Sequence, residues 1–413
     1  MTQSPPVGTW SPWRSIVAFG LVSLAADMVY EGMRAMAGPF LGSLGASALT
    51  VGLVTGAGEA VALMFRLVTG VWADHGSNHW RLTVLGYAMT AVSVPLLAIA
   101  PFIGGAGLAV AAALILVERT GKAVRSPAKS ALLARMATST GRGRGFGVHK
   151  ALDQVGAFSG PLVLAAAAGV TGRLWPGFAL LAVPGAVSLI LLAQLQRRAP
   201  IVIEGEGDAP APSGSTRAAL GRAMVGADLP RAFHVFSAAA ALTTGGLMTF
   251  GVISFWFVRT DLVAAAAVPL VYALAMAVEA FAALGTGHAF DRIGGRALLV
   301  VPVLVALVPL CVFSSTLWLV LVGIAVWGAA TGIQDSTVKA YVADLVPAHR
   351  RAGAYGVFAA VQGVGALAGG AVAGALVVHH RGALAVVVAA MQVVALVMLA
   401  RVANAAGGPS DPR

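Results

Sequence analysis

The sequence predicts an all-α membrane protein with twelve transmembrane helices. Its 413 residues are 58% hydrophobic and only 10% charged, and the mean hydropathy is +0.87, whereas soluble domains carry about 25% charged residues. About twelve apolar stretches have the length of roughly 20 residues that crosses a bilayer as a helix. A β-barrel would alternate polar and apolar residues, but a stretch such as 106–117 is apolar on every face.

The apolar stretches divide into two groups of six around the longest polar segment. The predicted helices cover 15–38, 48–72, 82–103, 106–131, 146–169, 174–194, 232–257, 266–288, 297–314, 316–342, 353–378 and 383–402. The segment 196–231 is rich in Gly, Pro, Ser and acidic residues, which cannot bury enough apolar surface to fold alone. We therefore expect six-helix bundles over 1–195 and 232–413, joined by a flexible cytoplasmic linker.

The charge pattern predicts topology rather than a nucleic-acid partner. The net charge is +11, but most Lys and Arg residues lie in short loops on one side of the predicted helices. By the positive-inside rule, we expect both termini to be cytoplasmic. We also expect the first helix to be a retained span, because it contains Asp27 and Glu31 and has no small-residue cleavage site. Cys311 is the only cysteine, which excludes an intrachain disulfide and a cysteine-ligated zinc site. No metal-site spacing is present, and we expect neither a metal nor a cofactor.

An internal repeat relates the two groups of helices. Helix 5 recurs as helix 11 at a constant offset, because Gly147, Val148, Ala151, Val155, Gly156, Ala157 and Gly160 match Gly356, Val357, Ala360, Val364, Gly365, Ala366 and Gly369. After helix 2, Gly70 and Asp74 likewise match Gly287 and Asp291 after helix 8. These matches predict a parallel duplication of six helices.

This arrangement resembles the major facilitator superfamily, whose signature after helix 2 is G-x-x-x-D-R-x-G-R-R, often with an echo after helix 8. The echo is well matched by Gly287, Asp291, Arg292, Gly294 and Arg296. The first copy keeps Gly70 and Asp74 but continues with His75 and Gly76. The resemblance implies two six-helix bundles that rock about a central site, with these motifs as gating contacts. It also implies a monomeric transporter of small molecules in the bacterial inner membrane.

A second signature of the superfamily, G-x-x-x-G-P-x-x-G-G in helix 5, marks antiporters. Gly156, Gly160 and Pro161 match its first part, but the trailing glycines are missing. An antiporter role and ordinary close packing of helices through small residues are both open.

Ionisable residues within the predicted helices are the best candidates for coupling, because charges in a bilayer usually face a cavity or one another. Asp27, Glu31 and Arg34 share one face of helix 1. They form either a neutral structural cluster or a site where Arg34 compensates one carboxylate and the other binds and releases a proton. In helix 2, Glu59 and Arg66 form either a neutral pair or a coupling site, and Glu279 in helix 8 lies at a roughly corresponding depth.

Helix 4 carries Glu118, Arg119, Lys122, Arg125 and Lys129. Glu118 and Arg119 lie deeper, and Arg119 is similar to a functional helix 4 arginine of such families. Arg125 and Lys129 are expected to face the cytoplasm. Asp153, at the start of helix 5 with His149, is expected to pair with helix 4 and to contribute to proton coupling.

The residues therefore predict a secondary transporter, most simply a proton-coupled exporter of small amphipathic or drug-like molecules. The residues expected to bind and release protons are Asp27, Glu31, Glu59, Glu279 and Asp153. Those expected to act as countercharges or substrate contacts are Arg34, Arg66, Glu118, Arg119 and Lys122. The alternatives are a proton-coupled transporter of an anionic metabolite, a sensor that binds without transport, and a membrane-embedded enzyme. The sequence has no P-loop, so ATP-driven transport is not expected and no enzymatic activity is predicted.

Overall fold

The computed structural model describes residues 10–74, 79–138, 140, 142–199, 228–347 and 350–406. Most of the predicted linker, 200–227, and His75 and Gly76 of the first motif lie outside the described residues. The described chain is nearly all helical, and twelve helical segments are long enough to cross a membrane. The predicted fold class is confirmed.

Each predicted span corresponds to one helical segment. The segments are α1 (Pro12–Ser43), α2 (Ala48–Asp74), α3 (His79–Leu96, extended by a tight turn to Phe102), α4 (Gly107–Met136), α5 (Arg142–Thr171), α6 (Trp175–Leu180 and Ala182–Arg198), α7 (Arg231–Leu247 and Phe250–Arg259), α8 (Val268–Ile293), α9 (Val300–Val312, preceded by a tight turn from Gly294), α10 (Leu317–Leu345), α11 (Arg351–Leu376) and α12 (Arg381–Ala406).

One helix differs from the others in composition. Eleven segments of the described chain are apolar enough to span a membrane on composition alone. The twelfth, α4, has 30 residues and is equally long, but six of them are charged. A helix of this length with interior charges needs partners for those charges within the protein.

The chain forms two compact units, Met1–Arg34 with Val68–Arg217, and Ala35–Leu67 with Ala218–Arg413. Glycines bring Ala35–Leu67 into the second unit. A Cβ atom at Gly52 of α2 would overlap the backbone of Gly370 in α11, and one at Gly374 would overlap Ala48. The predicted division into halves at 195 and 232 stays a prediction.

In the first unit, glycines of α5 allow it to lie directly against α1. A Cβ atom at Gly156 would overlap the backbone of Leu24, and one at Gly160 would overlap that of Met28. Only glycine permits so close an approach of two helices. Pro161 follows in the same helix and is buried. The helix 5 motif therefore has a packing role here, and its antiporter role stays a prediction.

The second unit repeats this contact. Gly365 and Gly369 of α11 approach the backbones of Ala241 and Gly245 in α7 in the same manner. The glycines follow those of α5 by 209 residues, and their partners follow those in α1 by 217 residues. The predicted duplication is therefore also seen in the structure, because equivalent residues of the paired helices make the same contacts in both units.

Candidate functional site

A network of charged and hydroxyl side chains lies between α1, α3, α4 and α5 in the first unit. Its centre is the ion pair of Asp27 in α1 with Arg125 in α4, whose nitrogen and oxygen are 3.8 Å apart. Arg125 also donates a hydrogen bond to Thr90 of α3, and Thr90 donates to Glu118 at 3.2 Å. Glu118 is fully buried and pairs with Arg119 at 3.6 Å. These contacts link both charged pairs through one hydroxyl group.

Tyr30 holds the second part of the network. Its ring contacts two cations of α4, with the guanidinium carbon of Arg119 at 4.5 Å and the Lys122 Nζ at 3.6 Å from the ring centroid. Arg119 also donates to the Tyr30 hydroxyl at 2.7 Å. The tyrosine is 1% exposed. Cation–π contacts strengthen when water is excluded, so Tyr30 fixes both cations in place.

Lys129 extends the network toward α5. Its Nζ donates to the Ser23 hydroxyl at 2.6 Å and lies 3.5 Å from a carboxylate oxygen of Asp153. His149 Nδ1 is 3.7 Å from the same carboxylate oxygen. Ser23 also shares a hydrogen bond of 3.0 Å with the Tyr87 hydroxyl. The expected pairing of Asp153 with helix 4 is confirmed.

The structure corrects the expected position of two cations. Arg125 is only 4% exposed and the Lys129 side chain 19% exposed, so the expectation that both face the cytoplasm is wrong. The predicted helix 4 ended at 131, whereas α4 continues to Met136. Both residues therefore lie two to three turns inside the helix, where charges require partners.

Asp27 and Glu31 have different surroundings although they share a face of α1. Arg34 pairs with Glu31 at 3.7 Å one turn away on the same helix. The partner of Asp27 is Arg125 on another helix. The ion pair of Asp27 thus joins two helices, whereas the ion pair between Glu31 and Arg34 lies within α1.

The remaining intramembrane candidates lie in the second unit. Glu59 and Arg66 are half-buried in the part of α2 that belongs to this unit. Glu279 is half-buried in α8, and its backbone lies against Gly332 of α10, where a side chain would overlap it. A proton-coupling role for the two glutamates stays a prediction.

An uncharged cluster stands in the second unit where the first has charged pairs. Thr244 of α7 accepts hydrogen bonds from Gln334 of α10 and, at 3.3 Å, from Gln362 of α11. Thr244 and Gln362 correspond to Asp27 and Asp153 at the offsets seen in glycine packing, and Gln334 follows Arg125 by the same 209 residues that separate Gln362 from Asp153. Among the described residues, the duplication has therefore kept hydrogen-bonding side chains at these positions, but in the second unit they are uncharged.

Sequence reasoning missed Tyr30, Thr90 and the uncharged cluster. Tyr30 lies on the helix face shared by Asp27, Glu31 and Arg34, so its position among charges was a usable signal. The repeat offset, applied to charged positions, would have pointed to Gln334 and Thr244.

The motif after α8 forms a tight turn. Gly294 follows the last residue of α8 with φ 58° and ψ −144°, a conformation essentially restricted to glycine. Arg292 and Arg296 are exposed on either side. The Asp74 and Asp291 side chains lie outside the described part of the structure, and Gly70 is described only as part of the α2 backbone. The gating role of these residues stays a prediction.

Replacing Gly294 by alanine is expected to lower the free energy of unfolding by about 1–3 kcal/mol, because a Cβ atom is strained in this conformation. Gly287→Ala is the matched control, since a Cβ atom there meets open space within α8 and alanine favours a helix. Thermal unfolding of both purified variants measures the difference. Equal melting temperatures would contradict the strained turn.

The comparisons with known proteins agree with the fold. The family model of the Major Facilitator Superfamily matches residues 19–308 and 235–412. The uncharacterized protein Rv2265 of Mycobacterium tuberculosis is 48% identical over 390 residues, which are 94% of this chain and 93% of that protein. An uncharacterized MFS-type transporter of Methanocaldococcus jannaschii is 26% identical over 88% of each chain.

Among solved structures, a mutant of the nucleoside transporter NupG superposes with a TM-score of 0.76. It is 14% identical, and the match covers 94% of this chain and 99% of that one. At this identity the likeness shows the fold alone. Together with the family match, the twelve helices and the duplicated packing show that the chain belongs to the major facilitator superfamily of multi-pass membrane transporters.

Proposed function

We propose that this chain is a proton-coupled secondary transporter of the bacterial inner membrane, with both termini in the cytoplasm. The observation that carries the proposal is the network of the first unit, in which Asp27 and Arg125 join α1 to α4. Placing charged side chains within the membrane costs free energy. In a proton-coupled transporter such an ion pair has a function, because a proton that binds the carboxylate breaks the pair.

The contacts suggest how a proton acts on this network. Protonation of Asp27 removes the negative charge that faces Arg125 and weakens the link between α1 and α4. Arg125 keeps its hydrogen bond to Thr90 and its position 4.9 Å from the Tyr87 ring centroid. The helices can then shift relative to one another without leaving the cation wholly unsolvated. Proton binding thus biases one of two packing states, as alternating access requires.

Export of amphipathic or drug-like molecules rests on the resemblance of the helix 5 motif to that of antiporters. The charge balance favours a second candidate, transport of an anionic metabolite. The network holds four cations against three carboxylates in the described part of the first unit: Arg119, Lys122, Arg125 and Lys129 against Asp27, Glu118 and Asp153. An anionic group of the substrate would complete this balance.

The test is proton movement in proteoliposomes that contain the wild-type protein and a trapped pH dye. A panel of cationic, neutral and anionic compounds is added, and the dye reports proton flux. We expect at least one compound to trigger flux that collapses with the proton gradient, and its charge decides between the two substrate classes. Saturable binding of a compound without any flux would instead show a sensor. Chemical conversion of a compound without gradient dependence would show an enzyme.

A further inference from the structure

A groove of about 480 Å³ lies on the first unit, between the beginning of α1 and the last turns of α6. None of its lining residues belongs to the charged network, and the proposed transport mechanism does not use it. Residues that line it include Trp10, Trp13, Arg14, Val17 and Leu191. They combine one cation, two indole rings and an apolar floor.

The polar end of the groove is built by contacts between the two helices. The backbone N–H of Trp10 donates to the Arg198 carbonyl at 3.0 Å, which ties the start of α1 to the end of α6. The Arg14 guanidinium carbon lies 5.0 Å from the centroid of the Trp10 ring. Arg197 and Arg198 belong to the last turn of α6 and are exposed. This end is thus strongly positive, and the described lining residues include no carboxylate.

The other end of the groove is apolar and accessible from the outer face of the helices. Trp13, Val17 and Leu21 are 42%, 40% and 39% exposed. They follow one another along the first turns of a helix that spans the membrane. Tryptophan rings at a helix end prefer the headgroup layer of a bilayer, so the groove runs from that layer into the acyl chains.

We propose that this groove binds an anionic phospholipid, with the headgroup phosphate at Arg14 and an acyl chain along Val17 and Leu21. Arginine pairs with phosphate through two parallel hydrogen bonds, and basic pockets on the cytoplasmic side of membrane proteins bind acidic headgroups. A free anion would leave the apolar floor uncovered. A lipid fills both ends at once.

Native mass spectrometry of the full-length, delipidated protein tests the proposal with phosphatidylglycerol and phosphatidylcholine of the same acyl chains. We expect phosphatidylglycerol to bind at least about tenfold more tightly, because its headgroup is anionic. Arg14→Gln should remove this preference. Arg401→Gln, an exposed arginine in the last helix, is the matched control and should keep it. Equal binding of both lipids, or an unchanged preference in Arg14→Gln, would overturn the proposal.

A second measurement locates the lipid and excludes a soluble anion. Phosphatidylglycerol with brominated acyl chains should quench tryptophan fluorescence less in Trp13→Phe than in the wild type, because the ring nearest the chain is gone. Equal quenching in both proteins would contradict this site. Inorganic phosphate should not displace the lipid. Full displacement by phosphate would show a site for free anions and would also overturn the proposal.

Discussion

Asp27→Thr alone is expected to lower the free energy of unfolding by about 3–5 kcal/mol, because it leaves the buried Arg125 without its carboxylate. Adding Arg125→Gln should recover most of the lost stability. The double variant copies the second unit, where Thr244 and Gln334 form a hydrogen bond at the equivalent positions. The duplication itself thus indicates that an uncharged pair fits between these helices.

Thermal unfolding of the wild type, both single variants and the double variant measures this coupling as a double-mutant cycle. Glu31→Gln is the comparison, since Glu31 pairs at 3.7 Å with Arg34 of the same helix, and ion pairs of this spacing within a helix contribute about 0.2–0.5 kcal/mol. Independent, additive effects of the two single substitutions would show that Asp27 and Arg125 do not act as a pair.

Gly160→Ala is the second substitution with a large expected effect. The new Cβ atom would overlap the backbone of Met28, so α5 must move away from α1. Overpacking of this kind costs typically about 1–3 kcal/mol, against a helix-propensity gain of up to about 1 kcal/mol. The melting temperature should therefore fall, and the Lys129–Asp153 contact that joins α4 to α5 should weaken with it.

Gly147→Ala in the same helix is the matched control for this prediction. A Cβ atom at Gly147 meets nothing within 4 Å, so alanine should leave stability unchanged or raise it slightly. The opposite order of the two melting temperatures would show that α1 and α5 are not held by this glycine contact.

The fold could be predicted from the sequence because its causes are local. Length and hydropathy place each helix, and small residues at repeated offsets reveal the duplication. The error at Arg125 and Lys129 arose because basic residues in the cytoplasmic half of a helix are expected to face the cytoplasm by the positive-inside rule. Both residues lay within the predicted helix 4, but no local pattern shows that this part of the helix packs against others; α4 continues to Met136, with Arg125 buried and Lys129 half-buried.

The candidate site could be predicted only in part, because partners on other helices leave no local pattern. The pairing of Arg34 with Glu31 follows from spacing within α1. The pairing of Asp27 with Arg125 depends on how α1 and α4 cross. Thr90 carries no charge, so its position between Arg125 and Glu118 becomes visible only when the helices are packed together.

The central claim is that the network of the first unit couples proton movement to transport. Compound-triggered proton flux in proteoliposomes tests it most directly, with the wild type, the control Arg401→Gln and the stable double variant of Asp27→Thr with Arg125→Gln side by side. We expect the wild type and Arg401→Gln to move protons. The double variant should still bind and exchange the compound at equilibrium without moving protons. Wild-type proton flux in the double variant would contradict the claim.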